Sequence, residues 1–169
     1  MCENIGNKAN RKILFSPPDI SELEINEVVE ALKSGWITTG PRTIKLEQKL
    51  KDFCNVNGLI CLNSATAAEE LNLRVLGIKP GDEVIVPAYT YTATAAAAIH
   101  CGAKIVFIDS QKDGDPITHS PEMDYDAVEK AINEHTKAIV PVDLGGIMCD
   151  YDRLYEIVEK KKELFHADN

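Results

Sequence analysis

Two short stretches hold most of the residues that could do chemistry. In Asn63-Ser64-Ala65-Thr66-Ala67-Ala68, small hydroxyl residues follow the apolar run Leu59-Ile60-Cys61-Leu62 and stand where a helix is expected to begin. A helix start presents unpaired backbone N–H groups and the positive end of the helix dipole to one point, which favours an anion such as a phosphate. Thr66 with Glu69 three residues later has capping-box spacing, which predicts a helix from Thr66 with the Ser64 and Thr66 hydroxyls flanking its open end. The second stretch, Tyr89-Thr90-Tyr91-Thr92, leaves a predicted strand over Val84-Ile85-Val86, at the edge where open α/β sheets place their ligands. An anion seat beside an aromatic ring points to a flat phosphorylated cofactor.

The elements that must position these residues alternate between strand and helix. Short apolar runs at Leu59–Leu62, Val84–Val86, Lys104–Asp109 and Lys137–Val142 read as strands. Between and around them lie helical patterns. One runs from an N-cap at Ser21, with Ile25, Val28, Val29 and Leu32 as a buried face, to Gly35. Another covers about Thr43 to Asn55, with Leu46, Leu50 and Phe53 packed on one side. Thr92 to His100 is alanine-rich and ends at Gly102. A helix capped by Asp124 carries Val128, Ala131 and Ile132, and a last one from Asp150 or Tyr151 carries Leu154, Ile157, Val158 and Phe165. Four strands alternating with helices and joined by no hairpin signal imply right-handed βαβ crossovers. The expected fold class is α/β, a three-layer arrangement with a parallel-type sheet and helices on both faces.

Composition narrows the possible functions. A net charge of −9 over 169 residues argues against a nucleic-acid partner, since duplex binding relies on Lys and Arg facing phosphates. Five cysteines form no C-x-x-C pair and suit reduced thiols. Cys61 and Cys101 read as small core residues. His100, His119, His135 and His166 share no ligand spacing with cysteines or acids, so no metal site is expected. No apolar run approaches the ~18 residues of a membrane span, and no leader pattern opens the chain, so the expected location is the cytoplasm.

Three segments together carry a resemblance: Asn63 to Ala68, then Leu76-Gly77-Ile78-Lys79-Pro80-Gly81-Asp82-Glu83-Val84-Ile85-Val86-Pro87, then Tyr89-Thr90-Tyr91-Thr92-Ala93-Thr94-Ala95. From about Ser16 to about Lys162 the chain resembles, in register, the DegT/DnrJ/EryC1/StrS aminotransferases. These are fold-type I enzymes that use pyridoxal phosphate (PLP) to aminate keto-sugars attached to nucleotides. The resemblance implies that Ala65, Thr66 and Ala67 hold the PLP phosphate and that Tyr91 stacks on the pyridine ring. It makes Trp36, Thr38 and Thr39, in the loop from Gly35 to Pro41, candidate substrate contacts; Trp36 as a simple plug between two helices is an equal alternative. It implies a nucleotide-linked sugar and an amino-acid donor such as glutamate as partners, and a homodimer for the complete enzyme.

The same resemblance sets limits. A PLP enzyme of this kind needs a lysine for the Schiff base and an acid for the pyridine nitrogen. No lysine here has that context, so 13–169 reads as a partial large domain, an amino-terminal portion not competent alone, while residues 1–12, polar and without a period, read as a mobile tail. The alternatives are a non-catalytic PLP-type or sugar-binding module, a split-subunit half, or an unrelated α/β domain for a phosphorylated metabolite. The family sheet would also separate Leu59–Leu62 from Lys137–Val142 by three strands not found here, leaving unpaired edges. Two local expectations complete the reading. Glu69 and Glu70 stand close enough to the helix start to oppose a phosphate, and Asp143 reads as a turn aspartate bonding its own backbone rather than a cofactor ligand.

Overall fold

The computed structural model describes residues 17–111 and 121–166, with side chains as far as 162. The expected tail and the Phe165 side chain lie outside the described residues, as do Ile13–Ser16, which the sequence reads as a short edge strand, and Gly114–His119, which the resemblance makes extra loop residues. Chain contacts divide the protein into two units, Met1–Cys61 and Leu62–Asn169.

In the first unit, α1 (Glu22–Lys33) and α2 (Pro41–Cys54) form as the periodicity predicts. Ser21 caps α1 in a full capping box: its hydroxyl takes the amide of Leu23, and Glu24 reaches back to the Ser21 amide at 2.6 Å. Pro41 opens α2, where its missing N–H costs nothing, and Asn55 closes it in the left-handed conformation. The expected burial is not found. Ile25, Val28, Leu32, Leu46 and Phe53 are exposed, Phe53 at 88%. The amphipathic period shaped both helices, but no described element within the unit covers their apolar stripes.

In the second unit a three-stranded parallel sheet has the order β2-β1-β3, with β1 at Glu83–Pro87, β2 at Lys104–Ile108 and β3 at Thr136–Ile139. Side chains alternate across it. Val84 and Val86 pack on one face with Leu73 and Ile78, the last two contributed by α3 (Ala65–Val75) and the turn after it, and with Ala97 and Ala98 of α4 (Thr92–His100). Ile85 packs on the other with Val128 of α5 (Tyr125–Ala131) and Leu154 and Ile157 of α6 (Tyr151–His166). Each of the buried Val, Leu and Ile side chains among these contributes about 1.5–3 kcal/mol. The three layers and parallel strands match the expected class.

Two strand expectations need correction. Leu59–Leu62 forms no strand, because a strand exists only as part of a hydrogen-bonded ladder and no described segment pairs with it; Cys61 is half-buried, its amide bonded to the Glu47 carboxylate at 2.9 Å. β3 stops at Ile139, although the Val140 amide still reaches the Ile85 carbonyl at 2.9 Å. Cys101 is buried as expected.

Candidate functional site

α3 and α4 share a face and a direction. Their last turns meet at the edge where the strands begin: the Arg74 guanidinium donates to the His100 carbonyl at 3.2 Å. A Cβ at Gly102 would lie 2.8 Å from the Pro80 ring, and with φ +86° that position requires glycine twice over. Both helices therefore start at the opposite edge, beyond the carboxyl ends of the strands, where ligands of open α/β sheets bind. At about 1.5 Å per residue, the 11 residues of α3 match the length of a five-residue strand.

The start of α3 corrects the expected cap. Ser64, not Thr66, is the N-cap: its backbone is extended, and its hydroxyl accepts the Ala67 amide at 3.1 Å. The first intrahelical bond joins the Ala68 amide to the Ser64 carbonyl at 3.2 Å. The amides of Ala65 and Thr66 precede it and point out of the helix start. The Ala67 amide is committed to the cap. Tyr91 is the N-cap residue of α4 with no side-chain cap bond, and its ring is 80% exposed. Just below, the buried Thr94 hydroxyl pairs with that of Thr90 at 3.1 Å, fixing the loop that carries Tyr91. Ala65, Thr66, Ala67 and Tyr91 thus stand on one edge and one face of the sheet. Trp36, Thr38 and Thr39 belong to the first unit, where the Trp36 indole donates to the Thr39 carbonyl at 3.0 Å and lies over Gly40.

The acids behind the α3 start behave differently from each other. Glu70 is engaged by Arg74 at 2.6 Å and by His100 at 3.1 Å, and the Arg74 hydrogen bond, followed by that of His100, holds its carboxyl below the usual range. Its charge is thereby occupied away from the helix start. Sequence pairing at i, i+4 signals the Arg74 bond; the His100 contact has no local signal. Glu69 has one carboxylate oxygen buried with no partner among the described residues.

Asp143, at the carboxyl end of β3, bonds backbone as expected but reaches six residues on: Oδ1 takes the Cys149 amide at 2.9 Å and Oδ2 the Tyr151 hydroxyl at 3.0 Å. The Cys149 amide in particular depresses its carboxyl. Burial, then the Asp143 charge, raises the Cys149 thiol. Among the described residues no group of three or more His, Cys, Asp or Glu is placed to hold a metal, and no helix is long and apolar enough to cross a membrane.

A parallel sheet between two helical layers, with a hydroxyl-lined helix start at its carboxyl edge, is the architecture of part of a fold-type I aminotransferase. Residues 18–168 match the DegT/DnrJ/EryC1/StrS aminotransferase family, and the chain belongs to it. A UDP-4-amino-4-deoxy-L-arabinose–oxoglutarate aminotransferase of Shewanella sediminis is 40% identical over 154 residues, covering 91% of this chain and 38% of that protein. The spore coat polysaccharide biosynthesis protein SpsC of Bacillus subtilis is 38% identical over 152 residues, with 90% and 38% covered. A putative sugar aminotransferase from Streptococcus pneumoniae, solved in PMP and PLP forms, superposes with a TM-score of 0.83 at 57% identity, over 90% of this chain and 37% and 38% of those chains respectively. The chain spans little more than a third of the length of these relatives.

Proposed function

We propose that this chain carries the phosphate and ring seats of a PLP-dependent aminotransferase acting on nucleotide-linked keto-sugars, with an amino acid such as glutamate as donor. The observation that carries the reading is the start of α3, which offers two amides uncommitted among the described residues, with Thr66 beside them in sequence, at the positive end of an 11-residue helix and on the same edge as an exposed tyrosine. The S. pneumoniae and S. sediminis relatives support the cofactor and the substrate class.

The residues present fit the phosphate and the ring. The amides of Ala65 and Thr66 and the Thr66 hydroxyl donate to the phosphate. Ala67, small and turned into the cap, leaves room for it. Tyr91 stacks on the ring and shields one side from water. Bound PLP supplies the electron sink that lets an amino group leave one carbon for another. The fit ends there. The chain offers no lysine in the family's setting, and each oxygen of Asp143 already accepts a hydrogen bond, so neither the Schiff base nor the acid for the pyridine nitrogen is assigned to a residue here. Trp36, Thr38 and Thr39 contact the sugar substrate in the complete enzyme, a cytoplasmic homodimer.

Titration of the chain with PLP, followed by phosphorus NMR and by ring absorbance, tests the seat. Weak reversible binding is expected. Thr66→Ala should weaken it about tenfold, the loss of one hydrogen bond to a charged group, and Tyr91→Ala should remove the absorbance change. Unaltered binding by both variants would overturn the assignment.

A further inference from the structure

An asparagine carries its own electrophile. Its side-chain carbonyl carbon and the main-chain nitrogen of the next residue can close a five-membered ring, and this makes asparagine a labile residue. A folded chain prevents the closure by holding the following amide in a hydrogen bond, by crowding it with the next side chain, or by tying the carboxamide to a partner. Asn26 and Asn72 lie inside α1 and α3, where the following amide belongs to the helix ladder. After Asn55, the Val56 amide is bonded to the Lys51 carbonyl at 3.2 Å. The Asn63 Oδ1 takes the Ser64 hydroxyl at 3.5 Å, and the Ser64 side chain crowds the nitrogen. Asn133 donates to the Glu83 carboxylate and accepts the His135 amide, both at 2.8 Å.

Asn57 has none of these protections. It stands at an exposed bend after α2 and is followed by the equally exposed Gly58. Among the described residues neither the Asn57 carboxamide nor the Gly58 amide is hydrogen-bonded. Gly58 adds no Cβ to shield its nitrogen. Nothing in the fold requires that glycine: its backbone lies outside the left-handed region, and a Cβ built there would meet nothing within 4 Å.

We propose that Asn57–Gly58 is a self-modification site, where the folded chain converts Asn57 to aspartate and isoaspartate with water as the only co-reactant. Solvent base takes the Gly58 amide proton, and the nitrogen attacks the Asn57 Cγ. The bond from Cγ to Nδ2 breaks, and ammonia leaves with a proton from water, giving a cyclic imide. Water then opens the ring. Cleavage between Cγ and the Gly58 nitrogen yields aspartate; cleavage between the main-chain carbonyl carbon and that nitrogen yields isoaspartate, with the chain running through the side chain. Either product adds one negative charge to the loop. Isoaspartate also adds one backbone carbon between two held points, the Val56 amide on Lys51 and the Cys61 amide on the Glu47 carboxylate.

Incubation of the full chain in mildly alkaline buffer, beside the same chain unfolded in urea, tests the proposal by peptide mass spectrometry. Circular dichroism verifies that the parent and Gly58→Ala are folded in the buffer arm. The expected result is the mass gain of an amide becoming an acid, located at Asn57, at a rate within about tenfold of that in urea. The isoaspartyl product should accept a methyl group from S-adenosylmethionine when an isoaspartyl methyltransferase is added as a probe. Gly58→Ala should slow the conversion at least about tenfold, because its Cβ crowds the attacking nitrogen. Conversion more than about tenfold slower in buffer than in urea would show that the fold protects Asn57 and would overturn the proposal. So would a smaller effect of Gly58→Ala, no methyl transfer, or earlier conversion at Asn63 or Asn133. PLP is left out of every arm, so a failure here leaves the cofactor reading untouched.

Discussion

The imidazole Nδ1 of His100, on the last turn of α4, lies 3.1 Å from the carboxylate of Glu70 on α3. With Arg74 on the other oxygen, Glu70 ties together α3 and α4, whose starts carry the proposed phosphate and ring seats. The tie runs from the middle and last turn of α3 to the last turn of α4, so it governs their relative alignment from a distance to both helix starts.

Its pH dependence follows from the direction of the Glu70 shift. A carboxyl held below its unfolded value contributes stability above that value and loses it as pH falls through the lowered folded value. Glu70→Gln should therefore unfold at lower urea than the parent at neutral pH. The two should converge once pH drops below the carboxylate range. Urea midpoints measured from pH 7 down to pH 3 will show whether the curves meet.

The corrected cap gives a separable pair of substitutions. Ser64→Ala removes the bond to the Ala67 amide and should cost about 1 kcal/mol of stability. Thr66→Ala lies inside the helix and should cost much less while weakening phosphate binding. Equal losses of stability in the two variants would restore Thr66 as the cap.

Glu69 should be dispensable. One of its oxygens is buried without a partner among the described residues, so Glu69→Leu is expected to raise stability by about 1 kcal/mol and to tighten PLP binding by removing a charge near the phosphate seat. Chemical denaturation and a PLP titration of the same variant measure the two effects. PLP bound no tighter would show that Glu69 does not oppose the phosphate.

Gly40 reports on the only tryptophan. A Cβ there would lie 2.0 Å from the Trp36 indole nitrogen, and the backbone at Gly40, with φ −179°, would accept any side chain. Gly40→Ala should therefore expel the indole from its bond to Thr39 by contact alone. Tryptophan emission should move to the red, and an unchanged spectrum would mean that the ring does not rest over Gly40 in solution.

How far the sequence could be read depended on whether the deciding partner was local. Val84-Ile85-Val86, an apolar run between Gly81 and Pro87, became the central strand because Lys104–Ile108 and Thr136–Ile139 lie within the chain to pair with it. Leu59–Leu62 has the same apolar character and no ladder, since composition says nothing about who pairs with whom. The Ser21 cap was legible because its partner, Glu24, is three residues away. At α3 two hydroxyls competed, and the T-x-x-E spacing favoured the wrong one; Ser64, by capping Ala67, starts the helix one residue earlier. Helical period in α1 and α2 fixed which residues share a stripe, while burial of that stripe depends on a surface that local pattern does not contain. The place of Tyr91 after β1 followed from strand–helix order, which the sequence does contain; that of Ala65 and Thr66 rests on α3 lying against α4, a contact with no local signal.

Asp143 grips the chain at both Cys149 and Tyr151, closing the loop after β3 like a buckle. Within that buckle, Gly145 and Gly146 both take left-handed backbone conformations, at φ +64° and +84°. The number of residues between Asp143 and Cys149 is thus fixed by geometry, and a single insertion there would shift Tyr151 off the carboxylate and start α6 out of phase. Side chains on the outer surface of the loop, such as Ile147 and Met148, are free to change; its length is not.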